Sequence, residues 1–155
     1  MEAQIRPEPF DGHSAQLLIE AVQQEYVVRY GGRDATPVDP GQFAPPRGLF
    51  LVAYADGEPA GCGGWRVHGP DAEIKRMFVV PHLRGRGLAR RLLAELESSA
   101  AAAGLDRTIL ETGLMQPEAI GLYTSTGYAL IPGFGIYAGE PDCRCFAKAL
   151  TASVR

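Results

Sequence analysis

This chain has little sulfur chemistry to offer: three cysteines in 155 residues, with Cys62 alone and Cys143 and Cys145 two apart. That spacing makes neither a zinc ribbon nor a thioredoxin-type C-x-x-C, so ordinary thiols of a reducing compartment are expected. Histidine is equally sparse. His13, His68 and His82 show no metal-ligand spacing, so no metal is expected, and each reads most simply as a solvated turn residue. No apolar run approaches the roughly 18 residues that cross a bilayer; the longest lies at residues 48–55. A basic excess is missing too. The net charge is −3, which provides no field for holding nucleic acid. The first ten residues carry Glu2, Glu8 and two prolines but no basic and apolar leader pattern, so a cytoplasmic protein is expected.

What is present is material for one core. A hydrophobic fraction of 46% over this length suits a single domain spanning residues 1–155, and 19 glycines and 12 prolines divide it into short elements. After an extended start at residues 3–6, Leu17, Leu18, Ala21, Val22 and Tyr26 fall at helical spacing within residues 14–30, and Gly31-Gly32 ends that helix. Residues 33–47 read as loop with room for a helical turn. Strands are expected at residues 48–55, 59–67 and 72–80, joined by tight turns at Asp56-Gly57 and residues 68–71 into an antiparallel meander. In the third strand, strict alternation puts Ile74, Arg76, Phe78 and Val80 on one face and Glu73, Lys75, Met77 and Val79 on the other. Leu88, Leu92, Leu93, Leu96, Ala100 and Ala103 then make a helical stripe closed by Gly104. A strand at 107–112, a helix opened by Pro117 and closed by Gly127, and strands at 128–131 and 144–150 complete an α+β domain with a mixed sheet.

The positive charge is unevenly distributed. Four of the 15 lysines and arginines, Arg84, Arg86, Arg90 and Arg91, fall within eight positions at the junction between a strand and the long helix. There the segment Arg84-Gly85-Arg86-Gly87-Leu88-Ala89 places free backbone N–H groups, the positive helix end and guanidinium donors together, as a phosphate site requires. Nucleotide motifs fail: the third glycine of G-x-G-x-x-G is missing, and there is no Gly-Lys-Ser/Thr. The Gly61-Cys62-Gly63-Gly64 run lies within a strand and marks a bulge or close packing.

Arg84, Gly87 and Ala89 satisfy the pattern R/Q-x-x-G-x-G/A, preceded by Phe78-Val79-Val80-Pro81. This segment resembles the coenzyme A signature of the GNAT superfamily of N-acetyltransferases. Downstream, Gln116, Ala119, Leu122, Tyr123, Gly127 and Tyr128 are similar to that family's N-x-x-A-x-x-L-Y-x-x-x-G-F/Y segment, with Gln116 where asparagine is common. The resemblance implies a single-domain fold with a mixed, mostly antiparallel sheet of six to seven strands. Helices would cover both faces, and a splayed parallel pair would admit coenzyme A. It also implies acetyl-CoA as cosubstrate, held by Met77, Phe78, Val79 and Val80, by Arg84, Gly85, Arg86, Gly87, Leu88 and Ala89, and by Gln116 and Tyr123.

By the same resemblance Tyr123 protonates the departing thiolate, and Glu73 is the base that frees the acceptor amine, with Glu111 as the second candidate. A phenol with a reference pKa of about 10 holds its proton at neutral pH, and an alkyl ammonium must lose one before it attacks. The acceptor site would draw on Tyr26, Arg29, Tyr30, Arg33 and Asp34, and on Phe134, Ile136 and Tyr137. Aromatics with arginines suit a small-molecule amine that carries a carboxylate, such as an amino acid. A peptide or protein amine, and a silent acyl-CoA-binding domain, stay open as alternatives, and a homodimer is compatible with the sheet edges.

Overall fold

A computed structural model describes residues 2–150; Met1 and residues 151–155, which the single-domain reading included, lie outside the described residues. The elements are β1 (Ala3–Pro7), α1 (His13–Tyr30), β2 (Gly48–Ala55), β3 (Glu58–His68), β4 (Asp71–Val79), α2 (Leu88–Ala102), β5 (Arg107–Gly113), α3 (Pro117–Ser125), β6 (Ala129–Ile131) and β7 (Cys143–Ala149), with 3-10 turns at Pro40–Phe43 and Pro81–Leu83. The strands form one seven-stranded sheet in the order β1-β2-β3-β4-β5-β7-β6. The β4–β5 pair is parallel and the other neighbours are antiparallel. This is the expected mixed α+β architecture.

Local chemistry explains the elements. Asp56 and Gly57 both take positive φ, 51° and 84°, the paired left-handed geometry that a two-residue hairpin turn needs. On α2 the expected stripe is the buried face except for Ala103, which caps the helix and is exposed; Leu88, Leu92, Leu93, Leu96 and Ala100 pack among Leu51, Trp65, Ile74, Leu110 and Phe146. Truncating any of these leucines to alanine removes roughly 2–5 kcal/mol. The opposite face is covered by α1, where Leu18, Ile19 and Val22 meet Phe43, Phe50, Val52 and Phe78. No helix among the described residues is long and apolar enough to cross a membrane.

The strict alternation expected for β4 does not hold. Cys62 pairs with Phe78 and Gly64 with Lys75, so Arg76 and Met77 together oppose Gly63. Arg76 takes the extra place with φ 63°. This bulge turns the strand over: Ile74 packs on the α2 side and Phe78 on the α1 side, although an even spacing separates them. The glycine run opposite is its counterpart, since a Cβ on Gly63 would run into Met77 Sδ.

Candidate acyl-transfer site

The parallel pair separates almost as soon as it forms. Ala72 pairs with Thr108 and Glu73 with Ile109, and the pairing goes no further although β4 continues to Val79 and β5 to Gly113. Beyond Glu73 the facing edges are therefore free to bond a ligand. A cavity of about 410 Å³ opens there, lined from β4 by Ile74, Lys75, Arg76 and Met77 and from β5 by Leu110, Glu111, Thr112 and Gly113. Tyr123 and Gln116 of α3, Tyr26 and Tyr30 of α1, and Tyr137 also line it.

Tyr123 is 6% exposed, its ring edge-on to Tyr128 at 5.5 Å, and burial raises its hydroxyl pKa above the usual value. Its hydroxyl therefore keeps its proton at neutral pH at the cavity wall. Glu73 is placed otherwise. It is 3% exposed, accepts from Arg66 Nε at 2.9 Å, lies 3.9 Å from Lys75 Nζ, and is not part of the cavity lining. Glu111, the second candidate, does line the cavity. Burial raises its pKa, and the charges of Glu73 and Asp34 add to this against the pull of Lys75.

At the start of α2 the helical ladder begins with Arg91 N–H donating to the Gly87 carbonyl at 3.1 Å. The amides of Leu88, Ala89 and Arg90 precede that bond and have no helical carbonyl to meet. Gly85 and Gly87 take φ 79° and 83°, and a Cβ on either would meet nothing within 4 Å, so the surface beside these amides is open. Arg84 is partly committed: its Nε donates to the Val79 carbonyl at 2.8 Å and its Nη2 to Glu25 at 2.7 Å, and its guanidinium lies 5.4 Å from the Phe78 ring centre. It braces the loop against α1 and leaves Arg86, which is exposed, as the loop's freer cation. Residues 84–89, Phe78, Val79 and Val80 lie outside the cavity lining; Met77, Gln116 and Tyr123 are within it.

The sequence model of the acetyltransferase (GNAT) family matches residues 16–128, most of the chain and all of this geometry except the β6–β7 side. The chain belongs to the GNAT acetyltransferase family. It is 44% identical over 101 residues to an IAA acetyltransferase of Azospirillum brasilense, covering 64% of this chain and 66% of that one. It spans just under two thirds of the length of two curated relatives, 66% and 63%, and 32% of another. Among solved structures, a Klebsiella pneumoniae protein assigned to the acyl-CoA N-acyltransferases superposes with TM-score 0.80 at 29% identity, over 96% of this chain and 98% of that one. The PaiA N-acetyltransferase of Thermoplasma acidophilum, solved with coenzyme A, shares the fold with TM-score 0.73 at 16% identity, over 96% and 99% of the two chains.

The cavity lining of this GNAT domain includes Tyr26, Tyr30, Arg33, Asp34 and Tyr137 from the residues expected to form an acceptor site. Tyr137 Oη accepts from the Ala35 amide at 2.7 Å, tying the β6–β7 connection to the loop after α1. Tyr30 donates to Gln116 Oε1 at 3.0 Å, and Arg29 Nη1 donates to the Met115 carbonyl at 2.7 Å, so the end of α1 clasps the start of α3. Arg33 lines the cavity with its charge already matched, both terminal nitrogens bonding Glu20 at 2.8 and 3.0 Å. Phe134 packs edge-on to His68 at 5.4 Å, and neither it nor Ile136, 54% exposed, joins the lining.

Two groupings carry no sequence signal beyond the charges themselves. A buried ionic chain runs from Arg66 through Glu73 and Lys75 to Asp34 and Arg76, with Lys75 Nζ and Arg76 Nη1 sharing Asp34 Oδ2 at 3.0 and 2.6 Å. Burial raises the Asp34 pKa, but Lys75, the Thr36 amide and Arg76 outweigh it and hold the carboxyl well below the usual range. Separately, the donor atoms of Glu111, Cys143 and Cys145 lie within 4.8 Å of one another, three ligands suited to a soft cation. Burial, with help from Cys145 and Glu111, pushes the Cys143 thiol up to about 12.

Proposed function

We propose that this protein transfers an acetyl group from acetyl-CoA to the primary amine of a small molecule, with both substrates bound together. The observation that carries the reading is the gap between β4 and β5, whose unpaired edges and Tyr123 meet in one cavity. The residues fit the cosubstrate. A pyrophosphate suits the open amides of Leu88, Ala89 and Arg90 with Arg86 beside them, and the amide-bearing arm suits strand edges that lack partners.

In this reading the amine nitrogen, relieved of its proton by Glu111 directly or through water, attacks the thioester carbonyl carbon. Main-chain N–H groups beyond the β4 bulge take the developing oxyanion. The carbon–sulfur bond breaks as Tyr123 gives its proton to the leaving sulfur, and the phenol is reset from solvent. Glu73 serves as a buried counter-ion that fixes Arg66 and Lys75 rather than as the base. Lys75, Arg76, Glu111 and Asp142 around the cavity suit an acceptor of mixed charge, such as an amino acid.

The test is release of free thiol from acetyl-CoA across a panel of primary amines. Turnover with at least one small amine is expected. Tight acetyl-CoA binding with no thiol release from any amine would replace the reading with that of a silent acyl-CoA-binding domain.

A further inference from the structure

We propose that Lys75 and Arg76 form the carboxylate subsite of the acceptor, which makes the substrate a small amino acid rather than a simple amine. This inference rests on the acyl-transfer reading for the role of the cavity, but not for its charge. The first observation is the local imbalance in the buried chain: Arg66, Lys75 and Arg76 share Glu73 and Asp34. Glu111 lines the same cavity, but among the described residues it forms an ion pair with neither Lys75 nor Arg76.

The second observation is an unmet donor. Arg76 is 4% exposed and lines the cavity, and its Nε is buried with no hydrogen-bond partner. A buried guanidinium with a bare N–H is costly unless something completes it. Lys75 and Arg76 both lean on one oxygen of Asp34, which leaves Lys75 donors to spare. Arg76 holds this position at φ 63°, a strained backbone for a residue with a Cβ, and such strain gathers at ligand sites. Arg33, the other cation of the lining, is bonded twice to Glu20 and has less to give.

The opposite polarity is present as well. Glu111, Glu140 and Asp142 line the same cavity from β5 and from the β6–β7 connection. Cations from β4 and carboxylates from these two segments match a zwitterion, its carboxylate toward Lys75 and Arg76 and its amine toward Glu111. An acceptor without the carboxylate would leave the two cations as they are and gain nothing from them.

The experiment compares small amino acids with their amides and with the amines lacking the carboxyl group, in thiol release by the full chain. The amino acid is expected to exceed its amide in kcat/KM by at least about 30-fold, mostly through KM, as loss of one partner of a desolvated charge pair implies. Lys75→Met should narrow that ratio toward unity, with coenzyme A affinity as the check that the variant is folded. Equal turnover of acid and amide by the wild-type protein overturns the subsite while leaving acetyl transfer standing. If no amine is turned over, calorimetry with propionate in the presence of acetyl-CoA decides: binding that Lys75→Met abolishes supports the subsite, and no binding overturns it.

Discussion

The Tyr30 hydroxyl sits where a side chain on Gly113 would begin, and from there it donates to Gln116 Oε1 at 3.0 Å. One phenol thus closes the end of β5, the last turn of α1 and the cap of α3 over the cavity. Gly113→Ala is expected to expel it, since a Cβ there overlaps the Tyr30 oxygen and ring. The expected cost is roughly 1–3 kcal/mol, read as a lower thermal midpoint with a raised acceptor KM. Tyr30→Phe removes only the hydrogen bond and should cost about 1 kcal/mol.

Tyr123→Phe keeps the ring that packs on Tyr128 and removes the proton donor at the cavity wall. Turnover should fall about 100-fold while coenzyme A affinity stays within about twofold, because general-acid assistance acts only as the bond breaks. Calorimetry alongside steady-state rates separates the two, and a loss of affinity with unchanged turnover would sink the assignment.

The two glutamates should part company. Glu111→Gln is expected to lower turnover about 100-fold with little change in stability. In the wild type the acid limb of the rate profile should have its midpoint above 4.5, the ordinary glutamate value, because burial raises the Glu111 pKa. Glu73→Gln strands Arg66 without its buried partner and should destabilise the fold by about 3 kcal/mol or more. The fraction that remains folded should still turn over. Denaturant melts and pH–rate profiles on both variants check this.

Asp34 sets an acid limit to stability. Its folded pKa lies below the ordinary aspartate value of 3.8, so the unfolded chain binds its proton first as pH drops. Its contribution is fully present above about pH 3.8 and fades as pH falls from there toward the lower folded value. Asp34→Asn should flatten the acid arm of the stability profile and leave Lys75 and Arg76 buried without their shared carboxylate.

How much of this was legible in the sequence differs by residue. The α2 stripe was legible because helical spacing and burial coincide, and Leu88, Leu92, Leu93, Leu96 and Ala100 are all buried. The hairpin at Asp56-Gly57 was legible because few residues accept two left-handed positions in a row. The β3–β4 bulge was signalled only from across the ladder, by the Gly61-Cys62-Gly63-Gly64 run, and not on β4 itself. Its positive φ is carried by Arg76 rather than by a glycine, so the run Ile74-Lys75-Arg76-Met77-Phe78 reads as unbroken alternation. That Glu111 and not Glu73 lines the cavity was beyond the sequence for a related reason. Glu73 sits across from Arg66 in the β3–β4 register, and that partner 7 residues away claims it. Phe134 was drawn off likewise by His68, and Arg33, which does line the cavity, has its charge matched by Glu20; only the folded chain supplies these neighbours.

The early end of the β4–β5 pairing also has a mechanical meaning. Within the sheet, two residue pairs join a four-stranded plate, β1 to β4, to a three-stranded one, β5 to β7, and the packing of α2 across both plates supplies the rest of the join. A molecule seated in the gap rivets the plates together. Its binding energy is then also resistance to their parting, and the protein should be stiffest when loaded and most easily pried open along that join when empty.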